Sequence, residues 1–491
     1  MTVGERTIRS VCAVRRTASV ASLASALAAC SAIPVIQNQP LPPQAIPVAA
    51  RAASAVAVTT PTRARPAAPA GAPDHYSLFD VARHNAGSPI HVVLAFSGGG
   101  TRAAALSYGV LRAMRDVNVP VGGGRARRLI DEVDMISSVS GGSFTAAYYG
   151  LFGEKTFDDF ERAFLRRNVN SELIDALLSP LHWFSTTGRT DLAAEIYADS
   201  IFRRATFADL RRANGPLVVI NATDLSRGIR FSFLQEYFDL LCSDLDTFPV
   251  ARAVTASSAV PLVFQPVVLQ NHPGCTPPSE SYLQSVAQTT DRAVLRDTVE
   301  GMNSYADKDA RRYVHLVDGG ISDNLGLRAL MDFVDIAGGI RRFGQLAAVD
   351  RRSSVPRRLL VIAVNASTDS SGAIDLQSQP PGLEQTLNAV TDIQVHRYND
   401  ETVDQARAAL QRWATELSTS AHPVSAHFVH LQFRALDDKR RRRINLIPTS
   451  LALSGDEVDM LVEAGGELLR ENPDFQAFLA EVNAEEKTAA R

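Results

Sequence analysis

The chain is poor in the residues that cross-link small domains and bind structural metals. Only four of its 491 residues are cysteine, and no cluster of His, Cys and Asp has the spacing of a structural zinc site, so we expect no metal or cofactor. An excess of one charge is also missing. A net charge of −3 and a pI near 6.4 give no reason to expect a nucleic-acid partner. With 45% hydrophobic and 21% charged residues, the composition fits one large globular domain or two.

The first thirty residues have the pattern of an export signal. A positive region contains four arginines, Arg6, Arg9, Arg15 and Arg16. The apolar stretch Thr17–Ala29 follows and is too short to span a bilayer. It ends at Ala28-Ala29-Cys30, which resembles the bacterial lipobox, where small residues precede a cysteine that becomes lipidated. We therefore expect residues 1–30 to be a lipoprotein signal peptide and Cys30 to carry the membrane anchor.

Residues 31–75 are rich in Pro, Ala, Val and Thr and have little periodicity, which predicts a linker. In extended form such a linker would lift a domain on the order of 100 Å from a membrane. Beyond the signal region only Cys242 and Cys275 remain. The sequence leaves open whether they form a disulfide or stay as buried thiols.

A glycine triplet, Gly98–Gly100, follows the apolar run His91–Phe96 and precedes residues with helical spacing. A strand, a glycine turn and a helix are predicted, with backbone N–H groups converging near the helix N-terminus. That geometry suits phosphate binding or oxyanion stabilisation. The Lys and Ser/Thr of a nucleotide-binding loop are missing after the triplet, where Thr101-Arg102-Ala103 stands instead.

A second stretch, MISSVSGGSF at 135–144, leads from an apolar run into a Ser/Gly turn. It predicts a buried strand and a helix, with Ser140 at the sharp turn where a nucleophile elbow holds its serine. We interpret the neighbouring Ser138 as a turn residue and Ser143 as a helix cap. A third stretch, YVHLVDGG, predicts a strand that ends at Asp318 before a glycine turn. Taken alone, Asp318 fits a catalytic carboxylate or an aspartate bonded to its own turn.

Together these segments resemble the patatin-like phospholipase family, whose pattern is a GGGxR motif, a GxSxG elbow and a DG[AG] turn. The motifs stand in that order here, as Gly98–Arg102, Ser138–Gly142 and Asp318–Gly320. Two further stretches, 221–233 and 251–266, also look like family blocks. The resemblance covers about residues 90–335, and Ser138 and Ala103 depart from the family's glycines. Both replacements are small and fit if the backbone φ there is negative.

The resemblance implies a three-layer α/β/α sandwich with a central, mostly parallel sheet, completed by a C-terminal α/β extension over 336–491. It implies a Ser-Asp dyad in which Asp318 takes the proton of the nucleophile Ser140. The oxyanion hole would be formed by the amides of three loop glycines and one elbow glycine, Gly98, Gly99, Gly100 and Gly141. Arg102 is expected either to contact a phosphate headgroup or to pair with an acid.

A Ser-His-Asp triad is the alternative within the same chemistry. The histidines considered for it are His315, within the strand before Asp318, and three in a late segment, His422, His427 and His430. The late segment also has a basic run, 437–443, which fits contact with anionic lipid or a solvated surface.

We expect a lipid acyl hydrolase of phospholipase A or lysophospholipase type, anchored in a bacterial envelope and facing the periplasm at the outer membrane. The alternative is an inactive lipid-binding or scaffold lipoprotein that keeps the fold. The substrate headgroup and the oligomeric state stay open.

Overall fold

The structure is a computed structural model. It describes residues 35–41, 75–78, 81, 88–121, 125–169, 171–172, 188–261, 263–275, 280–347, 356–369 and 378–489. The predicted signal peptide, including Cys30, lies outside these residues, and so does most of the predicted linker.

An eight-stranded sheet forms the centre of the described chain, and two small two-stranded sheets lie outside it. Numbered along the chain, the strands are β1 (Gln39–Pro40), β2 (Ile90–Phe96), β3 (Asn118–Pro120), β4 (Ala126–Arg128), β5 (Val133–Val139), β6 (Leu217–Asp224), β7 (Ile229–Ser232), β8 (Ser243–Asp244), β9 (Val267–Gln270), β10 (Tyr313–Asp318), β11 (Arg358–Asn365) and β12 (Ser425–Gln432). The order of the large sheet is β12-β11-β2-β5-β6-β10-β9, and β7 pairs with β6. The two small sheets pair β1 with β8 and β3 with β4. The first five strands of the large sheet are parallel, and β7, β10 and β9 are antiparallel to their neighbours.

Helices flank the large sheet, so the predicted α/β sandwich with a mostly parallel central sheet is confirmed. The helices are α1 (Gly100–Arg115), α2 (Gly141–Phe152), α3 (Thr156–Phe160), α4 (Arg189–Ser200), α5 (Phe207–Ala213), α6 (Gln235–Leu240), α7 (Val250–Ser257), α8 (Glu280–Thr289), α9 (Ala293–Asn303), α10 (Gly320–Asp323), α11 (Leu327–Ile336), α12 (Ile340–Ala347), α13 (Leu383–Leu417), α14 (Asp438–Ile444), α15 (Gly455–Glu471) and α16 (Pro473–Ala489). Every residue of β5 is buried, as expected for a central parallel strand covered on both faces.

The predicted C-terminal extension is built into the same sheet. Its strand β11 pairs with β2 on one side and with β12 on the other. Its helix α15 crosses α1 backbone to backbone. A Cβ atom at Gly109 would lie 2.1 Å from the carbonyl oxygen of Val462, and one at Gly465 would lie 2.4 Å from that of Leu106. The two glycines therefore set the position of α1, the helix that follows the glycine triplet.

Part of the predicted linker is docked on the domain. Strand β1 pairs antiparallel with β8, and the side chain of Asn38 is almost fully buried. Its amide nitrogen donates to the Gln270 carbonyl at 2.7 Å, and its Oδ1 accepts from the Gln270 amide at 2.9 Å. Asn38 thus satisfies backbone groups of the edge strand β9, as a neighbouring strand would. Over residues 35–41 this segment is a strap on the surface, which Pro/Ala-rich composition alone did not reveal.

The open question about the two late cysteines is resolved by a disulfide between Cys242 and Cys275, with Cα atoms 5.6 Å apart. The disulfide lies next to the strap, because the Leu41 amide donates to the Cys242 carbonyl at 2.8 Å. Across the described parts of the chain, no helix has both the length and the apolar character needed to cross a membrane.

Candidate active site

Ser140 occupies the sharp turn between β5 and α2. Its backbone has φ 49° and ψ −121°, a conformation that costs a residue with a side chain about 1–3 kcal/mol. Two contacts hold this strained turn. The Ser140 amide donates to Ser257 Oγ at 2.8 Å, and the Ser140 carbonyl accepts from the Ser143 amide at 3.0 Å. The strand, the turn and the helix predicted for this stretch are all present, and the turn directs the hydroxyl away from the strand.

Asp318 is the last residue of β10, and its backbone is fixed from two sides. Its amide donates to the Ala259 carbonyl at 3.0 Å, and its carbonyl accepts from Thr223 Oγ1 at 2.8 Å. One carboxylate oxygen, Oδ1, accepts from the Gly320 amide at 2.8 Å. The other oxygen, Oδ2, accepts from Ser140 Oγ at 2.8 Å. The strand end therefore aims one oxygen of a fixed carboxylate at the elbow serine.

Burial raises the pKa of Asp318 to about 6, and the hydrogen bonds from Gly320 and Ser140 oppose that rise. Only 9% of Asp318 and 6% of Ser140 is exposed to solvent. At neutral pH the carboxylate is therefore mostly ionised, yet it is a stronger base than an aspartate in water. This is the property a group needs to take a proton from a serine hydroxyl.

Backbone amides of three glycines lie beside the turn that holds Ser140. Gly99 has φ 135° and Gly100 has φ 61°, conformations that favour glycine. Gly141 begins α2 so close to this loop that a Cβ atom there would lie 1.9 Å from the Gly100 carbonyl oxygen. Among the described residues, the amides of these three glycines donate no hydrogen bond within the protein. They are unused donors at the N-termini of two helices, where negative charge is favoured.

The model of the patatin-like phospholipase family matches residues 94–331, the segment that contains the elbow, the glycine loop and Asp318. The similarity to the patatin-like phospholipase domain covers just under half of the chain.

The chain also matches two solved structures of human GIVD cytosolic phospholipase A2. For the complex with methyl gamma-linolenyl fluorophosphonate, the identity is 13%, the match covers 80% of this chain and 59% of that chain, and the TM-score is 0.38. For the protein alone, the identity is 12%, the match covers 80% of this chain and 60% of that chain, and the TM-score is 0.40. The chain thus corresponds to less than two thirds of the length of those proteins. No curated protein sequence gives a significant match.

Two residues predicted for the patatin-like site have other partners. The Gly98 amide donates to the Asn324 carbonyl at 3.1 Å, so it is occupied and we remove it from the predicted oxyanion hole. The Arg102 guanidinium is buried and faces the protein. It donates to the carbonyls of Ala366 at 3.0 Å and Ile447 at 2.6 Å. Arg102 therefore ties the glycine loop to the C-terminal extension.

The two residues that replace glycines of the family motifs fit the fold without backbone strain. Neither Ser138 nor Ala103 has a positive φ. Ser138 lies inside β5, where its hydroxyl donates to the Val219 carbonyl at 3.1 Å, and is not a turn residue as predicted. Ser143 is the third residue of α2 and shares a 3.1 Å hydrogen bond with Ser257, so it does not cap the helix through its side chain.

Sequence reasoning did not assign a role to Asn221 or Ser257, although both lie in stretches that look like family blocks. Ser257 Oγ donates to the Asn221 carbonyl at 2.6 Å and receives the Ser140 amide. The Asn221 side chain donates to the Ser138 carbonyl at 3.1 Å. Asn221 and Ser257 thus hold the elbow. The presence of polar residues in a buried strand and a buried helix was the sequence feature that could have indicated this role.

None of the histidines whose side chains the structure describes bonds to Ser140 or Asp318. His427 pairs with Glu481 at 2.8 Å, and His422 bonds to the Pro356 carbonyl at 3.3 Å. His430 lies 3.5 Å from the side-chain nitrogen of Asn365. His315 is on β10 next to β9, before the end that carries Asp318. The geometry therefore favours the Ser-Asp arrangement over a triad.

Proposed function

We propose that this protein is a serine acyl hydrolase that cleaves carboxylic esters of membrane lipids, of phospholipase A or lysophospholipase type. The observation that carries the proposal is the 2.8 Å hydrogen bond from the strained Ser140 to Asp318 Oδ2, beside three unused glycine amides. The family match over 94–331 supports the same chemistry. Nucleophile, base and oxyanion donors are the groups that acyl transfer requires.

In the first half-reaction, Ser140 Oγ attacks the ester carbonyl carbon while Asp318 Oδ2 takes the hydroxyl proton. The carbonyl π electrons move to oxygen, and the resulting oxyanion receives the amides of Gly99, Gly100 and Gly141. Each such donor is typically worth about 3 kcal/mol in the transition state. The tetrahedral intermediate collapses, the alcohol departs with the proton from Asp318, and an acyl-Ser140 ester remains.

In the second half-reaction, water attacks the acyl-enzyme carbonyl and Asp318 accepts a proton from that water. Collapse of the second intermediate breaks the bond to Ser140 Oγ, which recovers the proton. The products are a carboxylic acid and the original enzyme. The bond from the Gly320 amide to Asp318 Oδ1 keeps the carboxylate oriented through both steps, so one residue acts alternately as base and acid.

The surroundings of the dyad support a lipid surface as the source of substrate. Exposed apolar side chains lie close in sequence to the two segments that bond to Asp318. Val260 and Val263 follow α7, and Ile321 is in α10. The Ser450 carbonyl accepts the Thr101 amide at 2.8 Å, which joins the glycine loop to the segment after α14. That segment exposes 79% of Leu446, and α14 is rich in arginine. Exposed apolar and basic groups on the segments that adjoin Asp318 and the glycine loop suit contact with an anionic bilayer.

The proposed anchor agrees with this orientation. The Val35 amide lies 3.4 Å from Asp191 Oδ2, and the neighbouring Thr190 bonds to the Gln265 carbonyl in the loop that carries Val263. Five residue steps separate Cys30 from Val35, so an acylated Cys30 would keep Val35 within about 18 Å of the bilayer. We therefore replace the long tether with an anchor that holds the domain against the membrane. The disulfide supports an oxidising compartment such as the periplasm.

The test is hydrolysis of mixed phospholipid vesicles by the full chain, with released fatty acids and lysolipids identified by mass spectrometry. Ser140→Ala should abolish release and labelling by a fluorophosphonate probe. Ser107→Ala is the matched control, because it removes a buried serine hydroxyl in α1 away from the residues that hold the elbow, and it should keep most activity. If wild type and Ser140→Ala release the same amount of fatty acid, the proposal is wrong and an inactive lipid-binding protein is the better description.

A further inference from the structure

A histidine and two aspartates meet outside the candidate active site. His75 Nδ1 lies 3.5 Å from Asp244 Oδ1 and 3.7 Å from Asp246 Oδ2. His75 is 91% buried, being 9% exposed, and neither of its ring nitrogens has a hydrogen-bond partner. A buried imidazole without an ordinary hydrogen bond is a costly arrangement, so a proton shared with the carboxylates or a bound ion would stabilise it.

We propose that His75, Asp244 and Asp246 form a binding site for a divalent transition-metal ion, with Zn²⁺ as the best fit. The three donor atoms lie within 4.8 Å of one another. Two ligands on a tetrahedral zinc ion, each about 2.0–2.1 Å from the metal, are separated by about 3.4 Å. The observed separations from His75 are longer than an ordinary hydrogen bond and close to that value.

The backbone orients both carboxylates toward the imidazole. The Tyr76 amide donates to Asp246 Oδ1 at 3.0 Å, which leaves Oδ2 facing His75. The Asp246 amide donates to Asp244 Oδ1 at 2.9 Å. Such outer hydrogen bonds to metal-ligating carboxylates are a common feature of metal sites. Arg211 lies 3.4 Å from Asp246 Oδ2, so the site with a neutral imidazole has one net negative charge to meet a divalent cation.

The mixed imidazole and carboxylate donors favour Zn²⁺ over Ca²⁺ and Mg²⁺, which prefer oxygen ligands alone. Three protein ligands leave a fourth position for water. The ion would fasten residues 75–78 to Asp244 at the end of β8 and to Asp246 in the loop that follows. In that segment the Tyr76 hydroxyl bonds to both the amide and the carbonyl of Val218 on β6. The site therefore has a structural role that goes beyond the proposed hydrolysis and does not depend on it.

The short spacing expected of a structural zinc site is missing from the sequence, because His75 comes from a far upstream segment and the aspartates from the end of β8 and the loop after it. Only the fold brings the three together. The alternative state is a protonated His75 paired with both carboxylates. Asp244 raises the pKa of His75, so a proton and a metal ion compete for the same position.

The test is equilibrium dialysis of the full chain, without a polyhistidine tag, against Zn²⁺ at neutral pH. Bound metal is then measured by mass spectrometry. Wild type should hold about one ion per chain, and His75→Ala and Asp246→Asn should each weaken binding at least 100-fold. His91→Ala is the control, since His91 Nδ1 also lies beside a carboxylate, 3.2 Å from Asp134, without a third ligand among the described residues. It should bind zinc as wild type does.

Co²⁺ provides a second readout that does not depend on hydrolysis. Wild type should develop visible absorption bands of a low-symmetry, four- or five-coordinate site, and Asp246→Asn should not. Asp246→Asn is close in shape to the native residue, and circular dichroism checks that it is folded. If wild type takes up no more Zn²⁺ than His75→Ala, the inference is overturned. Hydrolysis of lipid vesicles by the same preparation keeps that result separate from the proposed function.

Discussion

The Ser140–Asp318 dyad and the His75 cluster differ in the distance between each carboxylate and the side chain that faces it. Asp318 and Ser140 share a 2.8 Å hydrogen bond, short enough for a proton to pass between them. His75 lies 3.5 and 3.7 Å from its two aspartates, which leaves room for an ion and is long for a proton. The first distance suits proton transfer and the second suits coordination. Hydrolysis at the dyad should therefore not require a metal ion. Metal binding at the second cluster, and the stability it gives the fold, should not require hydrolysis.

The largest expected effect comes from disturbing the amides beside the dyad. In Gly141→Ala the new methyl group would collide with the Gly100 carbonyl oxygen, 1.9 Å away, and push two of the three oxyanion donors apart. We expect kcat/KM for a p-nitrophenyl ester to fall about 10²- to 10³-fold. Gly344→Ala is the control, because a Cβ atom there meets no atom within 4 Å, and its activity should stay close to wild type. Equal activities would exclude Gly141 from the oxyanion hole.

Local motifs explain why the dyad was predictable from sequence. Ser140 directly follows the strand β5 and Asp318 ends the strand β10, each before glycines, and a strand end followed by a turn is visible in a few residues. The sheet then brings the two ends together through β6, which lies between β5 and β10. The roles of Gly98 and Arg102 were not predictable, because they depend on Asn324, Ala366 and Ile447, which the fold supplies from distant segments.

The strap and the second cluster were beyond sequence reasoning for a similar reason. Asn38 stands in a Pro/Ala-rich stretch with no periodicity, and its burial depends on the unpaired edge of β9. His75 acquires two carboxylate neighbours only because residues 75–78 dock beside β8. Long-range contacts to a sheet edge leave little trace in local composition.

Lowering the pH should affect hydrolysis next most strongly. Asp318 must be ionised to accept the proton, and burial raises its pKa to about 6. Below that pH, kcat/KM should fall about tenfold per unit, and above it the profile should level. Steady-state rates with a soluble ester, from pH 4.5 to pH 8, measure the profile. A midpoint near 4, the ordinary value for an aspartate, would contradict a desolvated base.

The same shift predicts a stabilised variant. Because the pKa of Asp318 is higher in the folded state than the ordinary aspartate value of 3.8, the folded state binds more protons, and stability falls as pH rises from about 4 to 6. Asp318→Asn removes this penalty and should raise the free energy of unfolding at pH 7 by about 1–3 kcal/mol. Urea unfolding at pH 7 measures the gain, which should shrink at pH 4. Asp369→Asn is the contrast, since the hydrogen bond from Arg434 lowers the pKa of Asp369, and loss of that carboxylate should destabilise the fold. A gain for Asp369→Asn and none for Asp318→Asn would contradict the assignment.

The smallest expected effect on turnover is that of chelation. Treatment with EDTA, or His75→Ala, should leave kcat/KM for a soluble ester within about twofold of wild type below the unfolding temperature, because neither proposed half-reaction passes through a metal ion. Thermal unfolding should move to lower temperature for EDTA-treated wild type and should not move further when EDTA is added to His75→Ala. If EDTA abolished hydrolysis and Ca²⁺ restored it, a metal ion would belong to the dyad. The claim that only the His75 cluster binds metal would then be wrong.

The most direct test of the central claim is a mutant cycle on the dyad. The kcat/KM for a p-nitrophenyl ester is measured for Ser140→Ala, Asp318→Asn and the double variant. If the two side chains act as one unit, all three should lose nearly the same activity, because removing either partner already stops the proton transfer. Additive losses would contradict the account, and so would an Asp318→Asn variant that keeps most of its turnover while His315→Ala loses it.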